Sequence, residues 1–353
     1  MVISISSKIW QKAILYNDKD IIKLIKLILN LVELGKHELI FENNMIEQDI
    51  ISCAHFQSYS EIIKNIGKHS FYSKLPNRLI RITQKEVLKL PIDSNIKIHY
   101  NGNKVVHKES STIFEYIDIS IINSYLNSPL YIVVENKDSD GKFIRSIYNF
   151  ITNNNATMQD LELSGKLKIV HGGGGNVGLV LETYVLPCRL ICLVDSDKKY
   201  PQDSLQRKDG LRIICDECGH DFIILSRREI ENYIPDKALI SWQKKQQSYN
   251  DDINMYFDLD NKQKSYFDLK KGLKIKDFKD HRIRELYSNI YDKYEEVINK
   301  GFQCNNVLNK EILKGFGSNV YNAFDEIAVC TKEDLKDFYD ELNEIVELIN
   351  NRI

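Results

Sequence analysis

Three short apolar runs meet carboxylates at their ends, and this pattern restricts the fold more than any other feature. Leu130-Tyr-Ile-Val-Val-Glu135 ends on one acid, and Arg189-Leu-Ile-Cys-Leu-Val-Asp195-Ser-Asp197 ends on two. Asp221-Phe-Ile-Ile-Leu225 leads into Ser226-Arg-Arg-Glu229-Ile-Glu231-Asn-Tyr. Short β-rich runs of this kind read as buried parallel strands. In open α/β sheets ligands bind beyond the carboxyl ends of the strands, so three such ends converge on one crevice. Gathered carboxylates repel one another unless a positive charge lies between them. A hard divalent cation that prefers oxygen ligands, such as Mg²⁺, is the natural filler.

Composition narrows the classes. At 353 residues, 43% hydrophobic and 28% charged, the chain is long enough for two or three domains and is not of disordered composition. A net charge of -2 means that any nucleic-acid contact must rest on local basic patches. Seven cysteines, an odd number spread along the chain, argue for reduced thiols and a cytoplasmic setting. No basic segment followed by an apolar core opens the sequence, so no secretory signal is expected. The most apolar stretch, 21–34, is broken by Lys23, Lys26 and Glu33 and is no membrane span.

The expected fold class is α/β, with a mainly parallel sheet core between an N-terminal α+β region and a helical C-terminal region. Residues 1–125 form the first region, structural or partner-binding. Asp18 or Asp20 caps a well-buried helix running to Leu34 and stopped by Gly35. Segment 95–100, the turn Asn101-Gly102-Asn103 and the run from Lys104 read as a hairpin. Residues 126–245 alternate strand and helix: strands at 130–135, 167–170, 189–195, 211–215 and 221–225, with helices near 141–152, 176–186 and from Arg227. Residues 246–353 read as mostly helical, with Leu335, Phe338, Leu342, Ile345, Val346 and Ile349 close to helical period. A basic stretch from Lys262 to Arg284 is a solvated face or a phosphate-backbone contact, with Tyr266 and Phe267 as stacking groups. Gly315-Phe-Gly317 marks a turn packed against the catalytic region.

Candidate site residues follow from position. Asp195 and Asp197 are two apart, so an extended segment points both the same way, toward one or two metal ions. Glu135 follows its strand in the same manner. Asp138 or Asp140 comes next, as a further ligand or as a helix cap. Glu231 turns back toward the cluster, while Glu229 favours a helix N-terminus. His171-Gly172-Gly173-Gly174-Gly175-Asn176 joins a strand to a helix, where Gly173, Gly174 and Gly175 let backbone amides approach a phosphate. No Gly-Lys-Ser/Thr follows, so it is not a P-loop, and the next strand ends in Asp-x-Asp rather than the lone acid of a dinucleotide site. His171 is read as structural. Cys215-x-x-Cys218-Gly-His220 is half a zinc knuckle with no second half.

Val134-Glu135, the glycine turn at 172–175 and Asp195-Ser-Asp197 resemble, in order and rough spacing, the Toprim domain of topoisomerases, bacterial primases and OLD-family nucleases. Arg228-Glu229-Ile-Glu231-Asn-Tyr-Ile is more similar to the OLD-like branch found in bacterial anti-phage systems. The resemblance covers about 110 residues, 128–240. It implies a crevice of acids binding two Mg²⁺ or Mn²⁺ ions and cutting phosphodiesters of DNA or RNA, with Glu135, Asp195, Asp197 and Glu231 as catalytic metal ligands and Asp138 or Asp140 as the second acid. The family's usual glycine after the first acid is Asn136 here. No Walker motif is present, so an ATPase partner would be a separate chain in an oligomer or complex. A topoisomerase role is not expected, for want of a tyrosine-bearing domain of adequate size.

Overall fold

Two sheets divide the chain. The computed structural model describes residues 1–41, 45–69, 78–83, 99–100, 104–109, 112–153, 157–184, 189–246, 254–303 and 307–353. The first sheet contains β1 (Val2–Ile5), β2 (Glu38–Ile40), β3 (Arg78–Thr83), β4 (His99–Tyr100), β5 (Lys104–Glu109) and β6 (Thr112–Asp118). Their spatial order is β2-β1-β3-β6-β5-β4, parallel from β2 to β6 and antiparallel beyond. β4 and β5 pair with His99 opposite Val106, as the Asn-Gly turn predicts, while 95–98 and the turn itself lie outside the described residues. The helix Lys19–Glu33 starts where Asp18 accepts bonds from the amides of Asp20 and Ile21, and it buries Ile21, Ile22, Ile25, Ile28, Leu29 and Leu31.

The second sheet is wholly parallel. It contains β7 (Leu130–Val134), β8 (Leu167–His171), β9 (Arg189–Val194) and β10 (Asp221–Ile224), in the order β10-β9-β7-β8. Period-two alternation sends Leu130, Ile132, Val134, Ile191 and Leu193 into one core and Val133, Leu190, Cys192 and Val194 into another. Helix Ser139–Ile151 covers the first face, and helices Val177–Glu182 and Asp209–Cys218 cover the second. Each fully buried aliphatic side chain contributes about 1.5–3 kcal/mol, so both faces must be covered. The cover of the first face is completed by the region beyond 254: Phe267, Phe278, Phe324, Leu335, Phe338, Leu342, Ile345, Val346 and Ile349 belong to the same core as β7. That region is mostly helical, with one antiparallel pair, β11 (Leu273–Lys274) and β12 (Glu311–Leu313).

Three expectations are corrected. Residues 211–215 are not a strand: helix Asp209–Cys218 lays Cys215 inward, leaves Ile213 56% exposed, and ends at Gly219 with φ 64°. No helix starts at Arg227: Ser226–Glu229 is irregular, a single 3₁₀ turn spans Ile230–Tyr233, and the α-helix Asp236–Lys245 waits until after Pro235. Phe267 is no stacking group, being 1% exposed and packed against Tyr256.

The two sheets meet through buried charge. Arg78 of β3 pairs with Glu115 of β6 and, at 2.7 Å, with Asp221 at the start of β10. Arg352, in helix Tyr339–Arg352, pairs with both acids, and the Tyr125 hydroxyl donates to Glu115 at 2.8 Å.

Candidate metal centre at the strand switch point

In the order β10-β9-β7-β8 the direction of winding reverses between β7 and β9, and the crevice opens beyond their carboxyl ends. Glu135 follows β7 and Asp195 follows β9, so both flank it. The segment 226–231 is stapled across the end of β9. The Ser196 hydroxyl donates to the Arg227 carbonyl (2.7 Å), the Asp197 amide to the Arg228 carbonyl (2.9 Å), and the Ile230 amide to Asp195 Oδ1 (2.9 Å). These bonds bring Glu229 and Glu231 to the crevice.

The expected alternation of Asp195 and Asp197 does not hold, because the strand ends at Val194 and Asp197 takes a left-handed conformation, φ 57°. The two carboxylates therefore serve different parts of the site. Toward solvent, Lys208 Nζ bridges Glu135 Oε1 (2.6 Å) and Asp197 Oδ2 (2.9 Å). Deeper, Lys270 Nζ bridges Glu229 Oε2 and Glu231 Oε1, both at 3.1 Å. Asp195 lies among these acids.

Asp138 and Asp140, the two alternatives for a further acid, differ in position. Asp138 is exposed and lies beside Lys142 and Arg145 on an outer surface. Asp140 is 6% exposed, accepts from the Asn136 amide (2.8 Å) and the Ser139 hydroxyl (2.8 Å), and acts electrostatically on both Glu135 and Asp195.

Titration behaviour follows from crowding. Burial pushes the Asp195 carboxyl well above the usual carboxylate range, and Asp140, Glu231, Glu229 and Glu135 push it further. Burial likewise raises Glu135 and Asp140; Lys208 opposes the rise in the first, and hydrogen bonds oppose it in the second. Burial pushes Glu231 up to about 7, with Lys270 opposing and Glu229 adding. Burial would lower Lys208, but its bonds to Glu135 and Asp197 outweigh that and hold it up.

The donor set fits a hard divalent cation. Glu135, Asp140, Asp195, Asp197, Glu229 and Glu231 outnumber Lys208 and Lys270, and all offer oxygen. Glu231 is 0% exposed; Lys270 meets its Oε1 at 3.1 Å, and its Oε2 has no hydrogen bond. Among the described residues no three His, Cys, Asp or Glu are already gathered to hold a metal ion, and Lys208 and Lys270 each bridge two of the acids.

The glycine turn does a second job. The amides of Gly172 and Gly174 donate to the carbonyls of Val134 (2.7 Å) and Glu135 (2.9 Å), which fixes the end of β7. A Cβ on Gly172 would lie 2.6 Å from the Val134 carbonyl oxygen. Gly174 therefore has no free amide for a phosphate; Gly173 and Gly175 stay exposed. His171 Nδ1 accepts from the Lys137 amide (3.1 Å), a structural role. Cys215 and Cys218 lie on one helix away from the crevice.

Lys208 and Lys270 were not singled out by sequence for this site. Lys270 is held by two crossing loops: the amides of Phe316 and Gly317 donate to the carbonyls of Leu269 (2.7 Å) and Lys270 (3.1 Å). Gly272 and Gly315 permit the crossing, since a Cβ on Gly315 would lie 2.5 Å from the Gly272 nitrogen. Gly315-Phe-Gly317 thus packs against the segment that carries Lys270, which lies outside 126–245, rather than against the expected catalytic region.

No family model matches the chain, and comparison with curated proteins and with solved structures gives no match. Among the described residues no helix is long and apolar enough to cross a membrane.

Proposed function

We propose that this chain is a divalent-metal-dependent nuclease, with residues 126–245 as a Toprim-like catalytic unit of the OLD-like branch. The observation that carries the reading is the convergence of six carboxylates at the switch point of a parallel sheet, including a fully buried Glu231 with Lys270 on one oxygen and no hydrogen bond on the other. Glu135, Asp140, Asp195, Asp197 and Glu231 would hold Mg²⁺ or Mn²⁺. When bound, the ions would activate a water and offset negative charge on the phosphodiester. Lys208 and Lys270, released from the acids, would then face phosphate oxygens. The exposed glycines and the lysines of 262–284 would hold the nucleic-acid backbone. The resemblance adds a bacterial anti-phage setting, a cytoplasmic location and a separate ATPase partner.

The test is cleavage of plasmid DNA, single-stranded DNA and tRNA with Mg²⁺, Mn²⁺ or EDTA, beside calorimetric Mn²⁺ titration. Cutting that needs metal, and falls at least about 100-fold in Glu135→Gln and Asp195→Asn, is the expected outcome. Unchanged cutting in either variant would remove the metal-site assignment. One observation favours a second reading, a non-catalytic effector binding a nucleotide or partner: Lys208 and Lys270 already partner four of the six acids. That reading expects no Mn²⁺ uptake and no cutting in the presence of the partner ATPase.

A further inference from the structure

Adjoining the acid crevice along the chain lies a cavity of about 130 Å³ with mostly positive lining. Lys199, Arg228, Lys271, Lys274 and Lys276 line it, against Asp268 and Asp277. Asp268 is taken up by Arg228 at 2.8 Å and by the Lys271 amide, and Asp277 accepts from the Lys274 amide. None of the four lysine ammonium groups has a carboxylate partner among the described residues. The buried Nε of Arg228 has no hydrogen bond. Four like charges around so small a space repel one another until an anion enters.

The cavity is tied to the crevice at three points. Lys199 is two residues beyond Asp197, Arg228 immediately precedes Glu229, and Lys271 immediately follows Lys270. At about 3.8 Å per residue these walls are no more than one or two steps from the candidate metal centre. Tyr266, half-buried, also lines the cavity and offers a ring for a base. Buried Leu273, Ile283 and Tyr287 close the inner side. The volume is well below the ~300 Å³ at which small-molecule sites begin, so a whole nucleotide does not fit, whereas one phosphate group does. A pocket this small suits a group that ends a chain, because an internal phosphodiester brings chain with it on both sides. The excess of unpaired lysines suits a dianion over a monoanion.

We propose that this pocket binds the terminal phosphate of a nucleic-acid strand and so sets which strand ends reach the acid crevice. The inference rests on the nuclease reading above, but its test does not require cutting. The full chain in EDTA is titrated by fluorescence anisotropy with single-stranded DNA and RNA 12-mers carrying a 5′-phosphate, a 3′-phosphate or only hydroxyl ends. One phosphorylated end is expected to bind about tenfold tighter than the hydroxyl-ended strand. Inorganic phosphate should abolish that advantage, as should the exposed pair Lys271→Gln/Lys276→Gln, whose hydroxyl-ended binding changes less. Lys23→Gln/Lys26→Gln, which removes two charges from the distant helix Lys19–Glu33, should keep the advantage. Equal affinity for all ends in the unsubstituted chain, or an advantage that survives Lys271→Gln/Lys276→Gln, would overturn the proposal. Metal-dependent cutting without end preference would leave the nuclease standing and this pocket refuted; end preference without cutting under any metal would do the reverse.

Discussion

Where the two sheets join, Arg78 and Arg352 face Glu115 and Asp221, two positive groups against two negative. At the strand switch point, Lys208 and Lys270 face six carboxylates. Both clusters are largely buried, so the contrast is one of balance. Buried charges persist in a structure when they are paired and hydrogen-bonded, as at the junction, where Tyr125 supplies a further bond. The surplus in the crevice is not explained by folding, because repulsion among Asp195, Asp140, Glu229, Glu231 and Glu135 opposes it. A charge excess retained against its own repulsion marks a place that serves binding.

The largest test of this contrast is mutational. Arg352→Ala leaves Glu115 and Asp221 short of a partner and should lower unfolding free energy by about 3–5 kcal/mol in urea titration. Asp195→Asn relieves repulsion and should stay within about 1 kcal/mol of the unsubstituted chain, or gain. Equal losses in the two variants would erase the distinction between the clusters.

The junction has a further electrostatic signature in His37, whose Nε2 lies 3.3 Å from the Leu126 carbonyl. Burial, helped by surrounding positive charge, lowers its pKa to about 4 from an ordinary 6.5. Between those values the unfolded chain takes up a proton that the folded chain refuses, so stability falls as pH drops from about 6.5 to 4. Unfolding at stepped pH should show a loss of roughly 2–3 kcal/mol attributable to this residue, absent in His37→Gln. A pH dependence identical in both proteins would place the acid sensitivity elsewhere.

The smallest effect concerns the loop crossing that presents Lys270. Gly315→Ala should cost about 1–3 kcal/mol by forcing the loops apart. Gly175→Ala, with nothing within 4 Å of the added carbon, should change stability by less than about 0.5 kcal/mol. Parity between them would mean that the crossing yields easily and does not fix Lys270.

The strands β7, β8, β9 and β10 were legible because each is a short apolar run contiguous in sequence, and the ends of β7 and β9 because an acid follows each directly. The misread strand at 211–215 is a helix whose Ile213 points to solvent, so its apolar residues imitate a buried run. Lys208 and Lys270 were illegible as site residues for a different reason. Lys208 lies 73 residues from Glu135, and Lys270 lies 41 and 39 residues from Glu229 and Glu231, and no local spacing records such pairings. The left-handed Asp197 likewise depends on a bond to the Arg228 carbonyl that only the folded loop supplies.

The junction also has a history within each molecule's synthesis. Glu115 and its second guanidinium, Arg352, are 237 residues apart. At about 5–20 residues per second, the ribosome would need on the order of 10–50 s to deliver that partner. Through that interval Glu115 has a guanidinium partner from its own sheet alone, Arg78. Arrival of the helix Tyr339–Arg352 then adds a second guanidinium to the Arg78–Asp221 contact between the two sheets.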